Sequence, residues 1–248
     1  RDEGEKIWAV VADNYESTLG INSRNQLAVA ERILRRRKAE ELMADGVTII
    51  DPQTTFIDAE VRVGMDTVIY PFTFLEGVTV IGEDCCIGPH VRFQNMVVGD
   101  DVKAHYVYAH DADVESGTDL GQFNHIRPDS HIGAGVKIGN FVEVKNSEIG
   151  AGSKLPHLSY IGDCDMGADV NMGCGTITVN YDGKNKFRTV IGDRAFVGCN
   201  SNLVAPITVG ENSYVAAGST ITRDVPEGAL SVARARQKEI EGWHDKRK

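Results

Sequence analysis

Residues 61–93, VRVGMDTVIYPFTFLEGVTVIGEDCCIGPHVRF, carry an aliphatic or aromatic residue at every sixth position, from Val63 to Phe93. Most residues two places before these positions are small or β-branched. The same spacing returns in residues 114–144 and 191–221. A repeat of this length predicts short strands joined by tight corners, with one side chain of each strand pointing into a narrow interior.

Three such units make one coil, and stacked coils form a three-sided prism whose strands hydrogen-bond from coil to coil. The sequence therefore predicts an all-β protein with a parallel β-helix over residues 47–225, wound left-handed as hexapeptide-repeat folds are. The repeat slips near residues 146–149 and 162–166 and is interrupted at 179–190. In solenoids such interruptions form loops on one face, often the binding face.

A linker helix is predicted over residues 21–46, in front of the repeat. Asn22 or Ser23 can cap its start, and Gly46 can end it after about Asp45. The helix is too short to bury a core by itself, so we interpret it as a connecting segment.

The two ends of the chain differ from the repeat. Residues 1–20 contain IWAVVA, which predicts a short strand followed by a loop. Residues 226–248 become basic and helical in composition, and this pattern predicts a C-terminal helical arm.

The composition indicates a folded, acidic protein, because 42% of the residues are hydrophobic and the formal net charge is -10. An excess of negative charge repels nucleic-acid phosphates. No run of about 18 apolar residues occurs, and the start lacks the features of a signal peptide. We therefore expect a cytoplasmic protein with no membrane segment. The five cysteines contain no CxxC pair, so neither a disulfide framework nor a metal site is predicted.

Two basic residues are predicted to stack on one edge of the prism. Arg127 and Lys145 are separated by one full coil of three repeat units, and each follows an inward aliphatic residue, so they should lie on adjacent coils. The same strip should pass near Tyr160 and reach about Asn180. Two interpretations stay open: a surface coincidence balanced by acids such as Glu143, or a cradle for a phosphate group.

His157 is the candidate general base among the seven histidines. It lies in KLPHLSYIGD, residues 154–163, three residues before Tyr160 and close to the predicted strip. Imidazole groups titrate near neutral pH and are suited to removing a proton from an amine or a hydroxyl group.

Five segments together resemble the acetyltransferase half of the bacterial bifunctional N-acetylglucosamine-1-phosphate uridyltransferase/glucosamine-1-phosphate N-acetyltransferases. They are FNHIRP (123–128), GNFVEVKNSEIG (139–150), KLPHLSYIGD (154–163), VNMGCGTITVNYDGKNKFRTVIG (170–192) and FVGCNSNLVAPITVGENSYVAAGSTITRDV (196–225). The resemblance implies a homotrimer with sites between subunits. It also implies acetyl transfer from acetyl-CoA to the amine of glucosamine 1-phosphate, toward UDP-N-acetylglucosamine, peptidoglycan and lipopolysaccharide.

The resemblance also implies roles for single residues, with His157 as the general base. The implied sugar-phosphate contacts are Arg127, Lys145, Tyr160 and Asn171, with Glu143 and Lys186 as helpers. The implied acetyl-CoA contacts are Cys174, Asn180, Tyr181, Cys199, Ala217 and Arg234. The register count puts Asn171 half a coil from the strip, so we expect a neighbouring subunit to supply it. Amides of the GCGT turn, residues 173–176, are expected to stabilise the tetrahedral oxyanion.

Two features depart from the pattern of that family. Cys174 and Cys199 occupy positions where other members carry small alanine and serine residues. The uridyltransferase half is absent, because no LxxGxGTRM-like segment occurs and residues 1–20 resemble only the end of that domain. Asn22 would be one ligand of a magnesium site whose aspartate is missing, so we expect neither uridyl transfer nor a need for magnesium.

Three alternatives stay open. The first is a hexapeptide-repeat acyltransferase that acts on a different acceptor. The second is a γ-type zinc carbonic anhydrase, which needs three convergent histidines; His105 and His110 are five residues apart, and the separation of His90 and His125 is not a whole number of coils. The third is a scaffold without catalytic activity, since solenoids often serve as interaction surfaces.

Overall fold

The computed structural model describes residues 8–244. Ile7, the first residue of the predicted IWAVVA strand, and residues 245–248 of the predicted arm lie outside this range. The strand prediction is wrong for residues 8–12, which have no regular secondary structure and precede a 3₁₀ helix at Tyr15–Thr18. A strand needs a paired neighbour for its backbone groups, and no strand of the described chain pairs with this segment.

The helix predicted in front of the repeat is present as α1, Arg24–Ala44. Ser23 caps its start with a side-chain hydrogen bond, and the chain leaves the helix at Gly46 with a φ of 94°. Glycine tolerates this left-handed backbone because it has no Cβ. The helix buries Ala39 and Leu42, and it contacts the first strands of the solenoid.

The solenoid is a parallel β-helix of about ten turns. In chain order its strands are β1 Thr48–Ile49, β2 Phe56–Ile57, β3 Arg62–Val63, β4 Val68–Ile69, β5 Phe74–Glu76, β6 Val80–Ile81, β7 Cys86–Ile87, β8 Arg92–Gln94, β9 Val97–Val98, β10 Lys103–Ala104, β11 Val107–His110, β12 Ala112–Val114, β13 Asp119–Leu120, β14 Asn124–Ile126, β15 Ser130–Ile132, β16 Lys137–Lys145, β17 Glu148–Ile149, β18 Lys154–Gly162, β19 Cys164–Met166, β20 Asn171–Met172, β21 Ile177–Val179, β22 Thr189–Ile191, β23 Phe196–Val197, β24 Asn202–Val204, β25 Ile207–Val209, β26 Tyr214–Val215, β27 Thr220–Ile221 and β28 Leu230–Ser231.

These strands form three faces. Face 1 contains the stack that begins with β1, face 2 the stack that begins with β2, and face 3 the stack that begins with β3. The long strands β16 and β18 run from face 1 around a corner onto face 2, which joins these two faces into one sheet. All pairings between named strands are parallel, as the repeat predicts.

The predicted inward positions form the core. From Ile69 to Ile221 each of them is at most 4% exposed, and Val63, the first of them, is partly buried. Their stacking is in register, because Ile69 lies opposite Ile87 on the next coil. Burial of one such aliphatic side chain stabilises the fold by roughly 1.5–3 kcal/mol.

The predicted interruption is an insertion into one turn. Asn171 pairs with Phe196, and Phe196 pairs with Tyr214 on the coil after that. The first of these two steps along the chain is longer than the second, so the turn after Asn171 holds extra residues. They leave the prism as a small hairpin, in which Tyr181 and Lys186 form an antiparallel bridge.

The corner between faces 1 and 2 carries a ridge of large side chains. One residue per coil turns this corner with a positive φ, 60° at Phe72 and 61° at Phe141. Their rings stack from coil to coil, for example with 5.2 Å between the centroids of Phe123 and Phe141. The ridge ends with Leu158, because the next residue in this series is Gly175.

The prediction of a helical arm is wrong for the described part of residues 226–248. Strand β28 forms at Leu230–Ser231, and residues 232–240 contain no helix. The preceding coil competes for their backbone groups, since the amides of Ala216 and Thr220 donate to the carbonyls of Ser231 and Ala233.

Between residues 8 and 244, no helix is both long enough and apolar enough to cross a membrane.

Candidate active site

His157 lies in an outward-facing column of side chains at the corner between faces 1 and 2. Asn140 lies opposite it on β16. On the other side, β18 pairs with β20 before the corner and with β21 after the corner, and both pairings have the same offset in sequence. This constant offset places Cys174 opposite His157.

The column continues along the prism axis. The number of residues between paired positions on this coil and the next, which includes the hairpin, is also the same before and after the corner. Cys199 therefore lies opposite Cys174. For the following coil this number of residues is again equal before and after the corner, so Ala217 lies opposite Cys199. Arg234 lies beside the end of this series, because its Cδ is 3.9 Å from the position that a Cβ on Gly218, the neighbour of Ala217, would take. We call these residues the corner column: His157, Cys174, Cys199, Ala217 and Arg234.

The corner column offers a track for an elongated ligand. His157, Cys199 and Ala217 are exposed, and Cys174 is half-buried. Coils are about 4.8 Å apart, so the track from His157 to Ala217 is about 14 Å long. An imidazole stands at one end, a guanidinium stands near the other, and the side chains between them are small. A flexible molecule with an anionic end can therefore lie along it.

A second group of polar residues surrounds Asp163, at the corner between faces 2 and 3. The Asp163 side chain is buried, and its carboxylate accepts hydrogen bonds from the side-chain amides of Asn146 and Asn180, each at 2.5 Å. The Lys145 ammonium lies 3.4 Å from the same carboxylate, and the Asn180 amide lies 3.4 Å from the Tyr160 hydroxyl. Asp163 therefore links residues that were predicted to contact the sugar phosphate and acetyl-CoA.

Asp163 also anchors both ends of the hairpin insertion. Its carboxylate holds Asn180 at the start of the insertion, and its backbone carbonyl accepts a hydrogen bond of 3.0 Å from Thr189 at the end. Burial alone would raise the pKa of Asp163, but the amides of Asn146 and Asn180 and the Lys145 ammonium outweigh it and hold the pKa below its ordinary value. The carboxylate is thus charged at neutral pH.

Asp163 was not among the predicted site residues. Its signal in the sequence was its place in KLPHLSYIGD, midway between Asn146 and Asn180. Each of those two separations equals the coil length at that point of the chain, so all three side chains stand at one corner.

Arg127 and Lys145 lie on adjacent coils, as predicted, because β14 and β16 pair one full coil apart, with Ile126 opposite Val144. Each cation has an acidic neighbour. The Arg127 guanidinium donates to Glu143 at 2.8 Å, and the Lys145 ammonium faces the Asp163 carboxylate. The acids thus offset the repulsion between the stacked cations. The Arg127–Glu143 pair is more than a third exposed on both sides, so it contributes little to stability.

At the far end of the predicted strip, the residue in the row differs by one position from the prediction. Lys145 pairs with Gly162, and the register of the next coil then puts Val179 opposite Gly162, not Asn180. Asn180 instead turns the corner at the start of the hairpin. Tyr160 stands on the neighbouring row, and its hydroxyl fills the space that a side chain at Gly162 would occupy.

Three predicted residues lie apart from these two groups. Asn171 is on face 1, where it pairs with Lys154 and Phe196. Tyr181 and Lys186 are exposed on the hairpin. A single chain therefore does not bring Asn171 to the Lys145 edge of face 2.

A groove on face 2 lies between the two groups. It has a volume of about 450 Å³ and is lined by aromatic and polar side chains, among them Phe141, Glu143 and Tyr160. His125, which was not a predicted site residue, also lines it, and burial lowers the pKa of this imidazole. His157 and Lys145 stand at opposite edges of face 2, so a ligand that touches both must cross this groove.

The expected oxyanion donors are largely occupied. Within the GCGT turn, the amides of Gly173, Gly175 and Thr176 donate to the carbonyls of Val197, Leu158 and Gly173, respectively. The expectation is therefore wrong for these three amides, because those of Gly173 and Gly175 join neighbouring coils and that of Thr176 closes the turn itself.

The described residues contain no group of three or more His, Cys, Asp or Glu side chains arranged to hold a metal ion. The rings of His110 and His125 come within 5.9 Å of each other, but no third histidine completes the set that a zinc hydratase needs in this part of the chain.

Residues 188–223 match the family model described as bacterial transferase hexapeptide (six repeats). "Bifunctional protein GlmU" of Geobacillus sp. (strain WCH70) is 56% identical over 246 residues, which cover 99% of this chain and 54% of that protein. The protein of the same name from Caldanaerobacter subterraneus subsp. tengcongensis is 56% identical over 247 residues, 100% of this chain and 54% of its own length. The chain thus spans about half the length of the curated relatives it matches.

Among solved structures, the UDP-N-acetylglucosamine acyltransferase of Francisella novicida is 16% identical, with a TM-score of 0.42, and the match covers 75% of this chain and 67% of that one.

Asp163→Asn is expected to lower the free energy of unfolding by about 1.5–3 kcal/mol at neutral pH, the contribution of hydrogen bonds to a charged group. The depressed pKa means that the stabilising effect is present above the ordinary pKa of an aspartate and is lost as the pH falls through the folded value. Urea unfolding of both proteins between neutral and acidic pH measures this difference.

The two unfolding curves should therefore approach each other below about pH 4, the ordinary range of an aspartate. Asp113→Asn, which changes an exposed aspartate on face 3, serves as the matched control. A difference between wild type and Asp163→Asn that stays constant down to acid would show that the charge of Asp163 is not what stabilises the hairpin anchor.

Proposed function

We propose that the chain is the acetyltransferase half of a protein of the bifunctional GlmU family, to which it is 56% identical over 99% of its length, and that it transfers acetyl from acetyl-CoA to the amine of glucosamine 1-phosphate. The observation that carries the proposal is the corner column. It sets His157 in line with Cys174, Cys199 and Ala217, which the resemblance assigned to acetyl-CoA. The product would lead to UDP-N-acetylglucosamine in the cytoplasm.

In this proposal, His157 is the general base. Acetyl-CoA lies along the corner column with its phosphates toward Arg234, and its thioester reaches the exposed imidazole of His157. The amine attacks the thioester carbonyl while His157 takes the proton from the nitrogen; the C–S bond then breaks, and the CoA thiolate leaves with the proton that His157 returns. A positioned base of this kind contributes about 10² to 10⁴ in rate.

The sugar phosphate is held at the Lys145 edge of face 2. An ammonium group has three donors, so Lys145 can face Asp163 and still donate to a phosphate oxygen. Arg127 is bound to Glu143 in an exposed pair, and such pairs are weak enough for a phosphate to compete. Glu143 and Tyr160 line the groove that the sugar ring would occupy, and Lys186 and Tyr181 of the hairpin would approach from above.

We assign the active form as a homotrimer with sites between subunits. The Phe123, Phe141 and Leu158 side chains of the ridge are 56%, 56% and 60% exposed. An apolar ridge of this extent beside a groove favours a protein partner. A second copy that covers the ridge with its face 1 would bring its own Asn171 to the groove.

The proposed division of the chain follows from these roles. Residues 47–225 form the acetyltransferase domain, and residues 226–248 form an arm beside acetyl-CoA. Residues 21–46 link the domain to residues 1–20, the end of a nucleotidyltransferase domain. Uridyl transfer and the magnesium site that would include Asn22 are not part of this proposal.

The acceptor is tested by following free CoA with acetyl-CoA and one of three amines: glucosamine 1-phosphate, glucosamine or glucosamine 6-phosphate. We expect the highest kcat/KM with the 1-phosphate. One lost charge-assisted contact costs about 1.5–3 kcal/mol, so glucosamine should be at least about tenfold poorer. Lys145→Ala should reduce the ratio of kcat/KM for glucosamine 1-phosphate to kcat/KM for glucosamine. Lys103→Ala on face 1 should leave this ratio unchanged. Equal kcat/KM for all three amines would reject the proposed acceptor.

His157→Ala is expected to lower kcat by about 10² to 10⁴, the usual contribution of a general base. The same CoA-release assay measures kcat, and circular dichroism checks the fold. His131→Ala, an exchange on face 3 far from the corner column, should keep the wild-type rate. An alanine variant at position 157 with full activity would remove this imidazole from the mechanism.

Shared sites are tested with mixed oligomers of two variants. Asn171→Ala and Lys145→Ala proteins, each with its own affinity tag, should be weakly active alone. Mixed oligomers isolated through both tags should regain part of the activity, because some sites then combine an intact Asn171 with an intact Lys145. Mixed oligomers that stay as inactive as their parents would mean that one chain supplies both residues.

A further inference from the structure

Two thiols stand on adjacent coils within the corner column. The pairings on both sides of the corner place Cys199 directly opposite Cys174. The Cys199 carbonyl and the Cys174 carbonyl each accept a backbone hydrogen bond from the following coil, at 2.8 Å and 2.7 Å, so the stacking is unbroken at this point. Adjacent strands are about 4.8 Å apart, which falls within the range of about 4.4–6.8 Å between the Cα atoms of disulfides.

The coils are held closely together at this corner. A Cβ added to Gly173 would lie 2.6 Å from the carbonyl carbon of Gly198, so a side chain at position 173 would not fit. Because the backbone fixes the two cysteines opposite each other, little conformational freedom remains to be lost when their side chains join.

These two thiols are also the accessible ones on this corner. Cys199 is exposed and Cys174 is half-buried, whereas Cys85 and Cys164 are buried. Burial raises the pKa of Cys164 to about 12 and also raises the pKa of Cys85. Since the thiolate is the reactive form, those two buried cysteines are inert.

We propose that Cys174 and Cys199 are a modification site, at which a low-molecular-weight disulfide converts the two thiols into a reversible disulfide. One thiolate attacks the small disulfide, RSSR, forms a mixed disulfide and releases one RS⁻. The second thiolate attacks the protein sulfur of that mixed disulfide, which forms the Cys174–Cys199 bond and releases the second RS⁻. Two cysteine thiols are oxidised, RSSR is reduced to two RSH, and the two thiol protons end on the RSH molecules.

The bond would lie across the track that the proposed function assigns to acetyl-CoA, so this part of the inference rests on that function. It would pull the two side chains together over the track and remove both thiols from contact with the ligand. A disulfide in an exposed position is readily reduced, and such bonds are typically labile and regulatory. The site would therefore be open under reducing conditions and closed under oxidative stress.

The test treats the full chain with excess oxidised glutathione, followed by trypsin without reduction and mass spectrometry. Cys174 lies in the tryptic peptide 155–184, and Cys199 lies in the peptide 195–223. We expect these two peptides to be joined, with a mass lower than their sum by two hydrogens, and dithiothreitol should separate them. Cleavage at Met172 by cyanogen bromide removes Cys164 from the joined fragment and confirms the bond to Cys174.

The matched controls are Cys174→Ser and Cys199→Ser, each of which should abolish the joined peptides, and Cys86→Ser, which should keep them. Glutathione adducts on both thiols without a joined peptide, or joined peptides that persist in Cys174→Ser, would overturn the proposal. The peptide masses do not depend on catalysis, so they stand apart from the proposed function. Protein with the Cys174–Cys199 disulfide should lose acetyl transfer and regain it with dithiothreitol. Full activity of the disulfide form would overturn the proposal that the bond blocks the track for acetyl-CoA.

Discussion

Hydrogen bonds between successive coils are the constraint on which the rest of the structure depends. Because all coils stack in parallel and in register, a residue and its partner on the next coil stand about 4.8 Å apart with side chains pointing the same way. Residues far apart in sequence thereby become neighbours in rows along the prism. The core is one set of these rows, from Ile69 to Ile221, and the corner column is another.

The site lies where this regularity is broken. The turn between Asn171 and Phe196 carries a hairpin that leaves the prism, so the hairpin residues pair with each other and not with a neighbouring coil. A buried carboxylate compensates for the break: Asp163 holds the start of the hairpin through its side chain and the end through its carbonyl. The same carboxylate orients Lys145. The position of Lys145 and the anchoring of the hairpin therefore depend on one charged group, which its hydrogen bonds keep ionised.

Electrostatics shape the two edges of face 2 differently. At the Lys145 edge the cations are matched by Glu143 and Asp163, so the protein tolerates stacked positive charge in an acidic chain. At the His157 edge the imidazole is exposed, and the members of the corner column that follow it, Cys174, Cys199 and Ala217, are small. A phosphate needs compact cationic partners, and a long thioester needs an open track with a base at its end. The proposed function assigns the phosphate to the Lys145 edge and the thioester to the His157 edge.

The sequence by itself determined the coil, the inward rows and the adjacency of Arg127 and Lys145, because a constant spacing converts directly into position once the backbone repeats. It also determined helix α1 from its capping residues. It could not place Cys199 opposite Cys174, because that contact depends on how many residues leave the prism in the hairpin. It also could not show that Asp163 gathers Asn146 and Asn180, because the shortened coils at this point become visible only in the strand pairing. The paths of residues 8–12 and 232–240 were likewise decided only in the tertiary structure, where available backbone partners outweigh local preference.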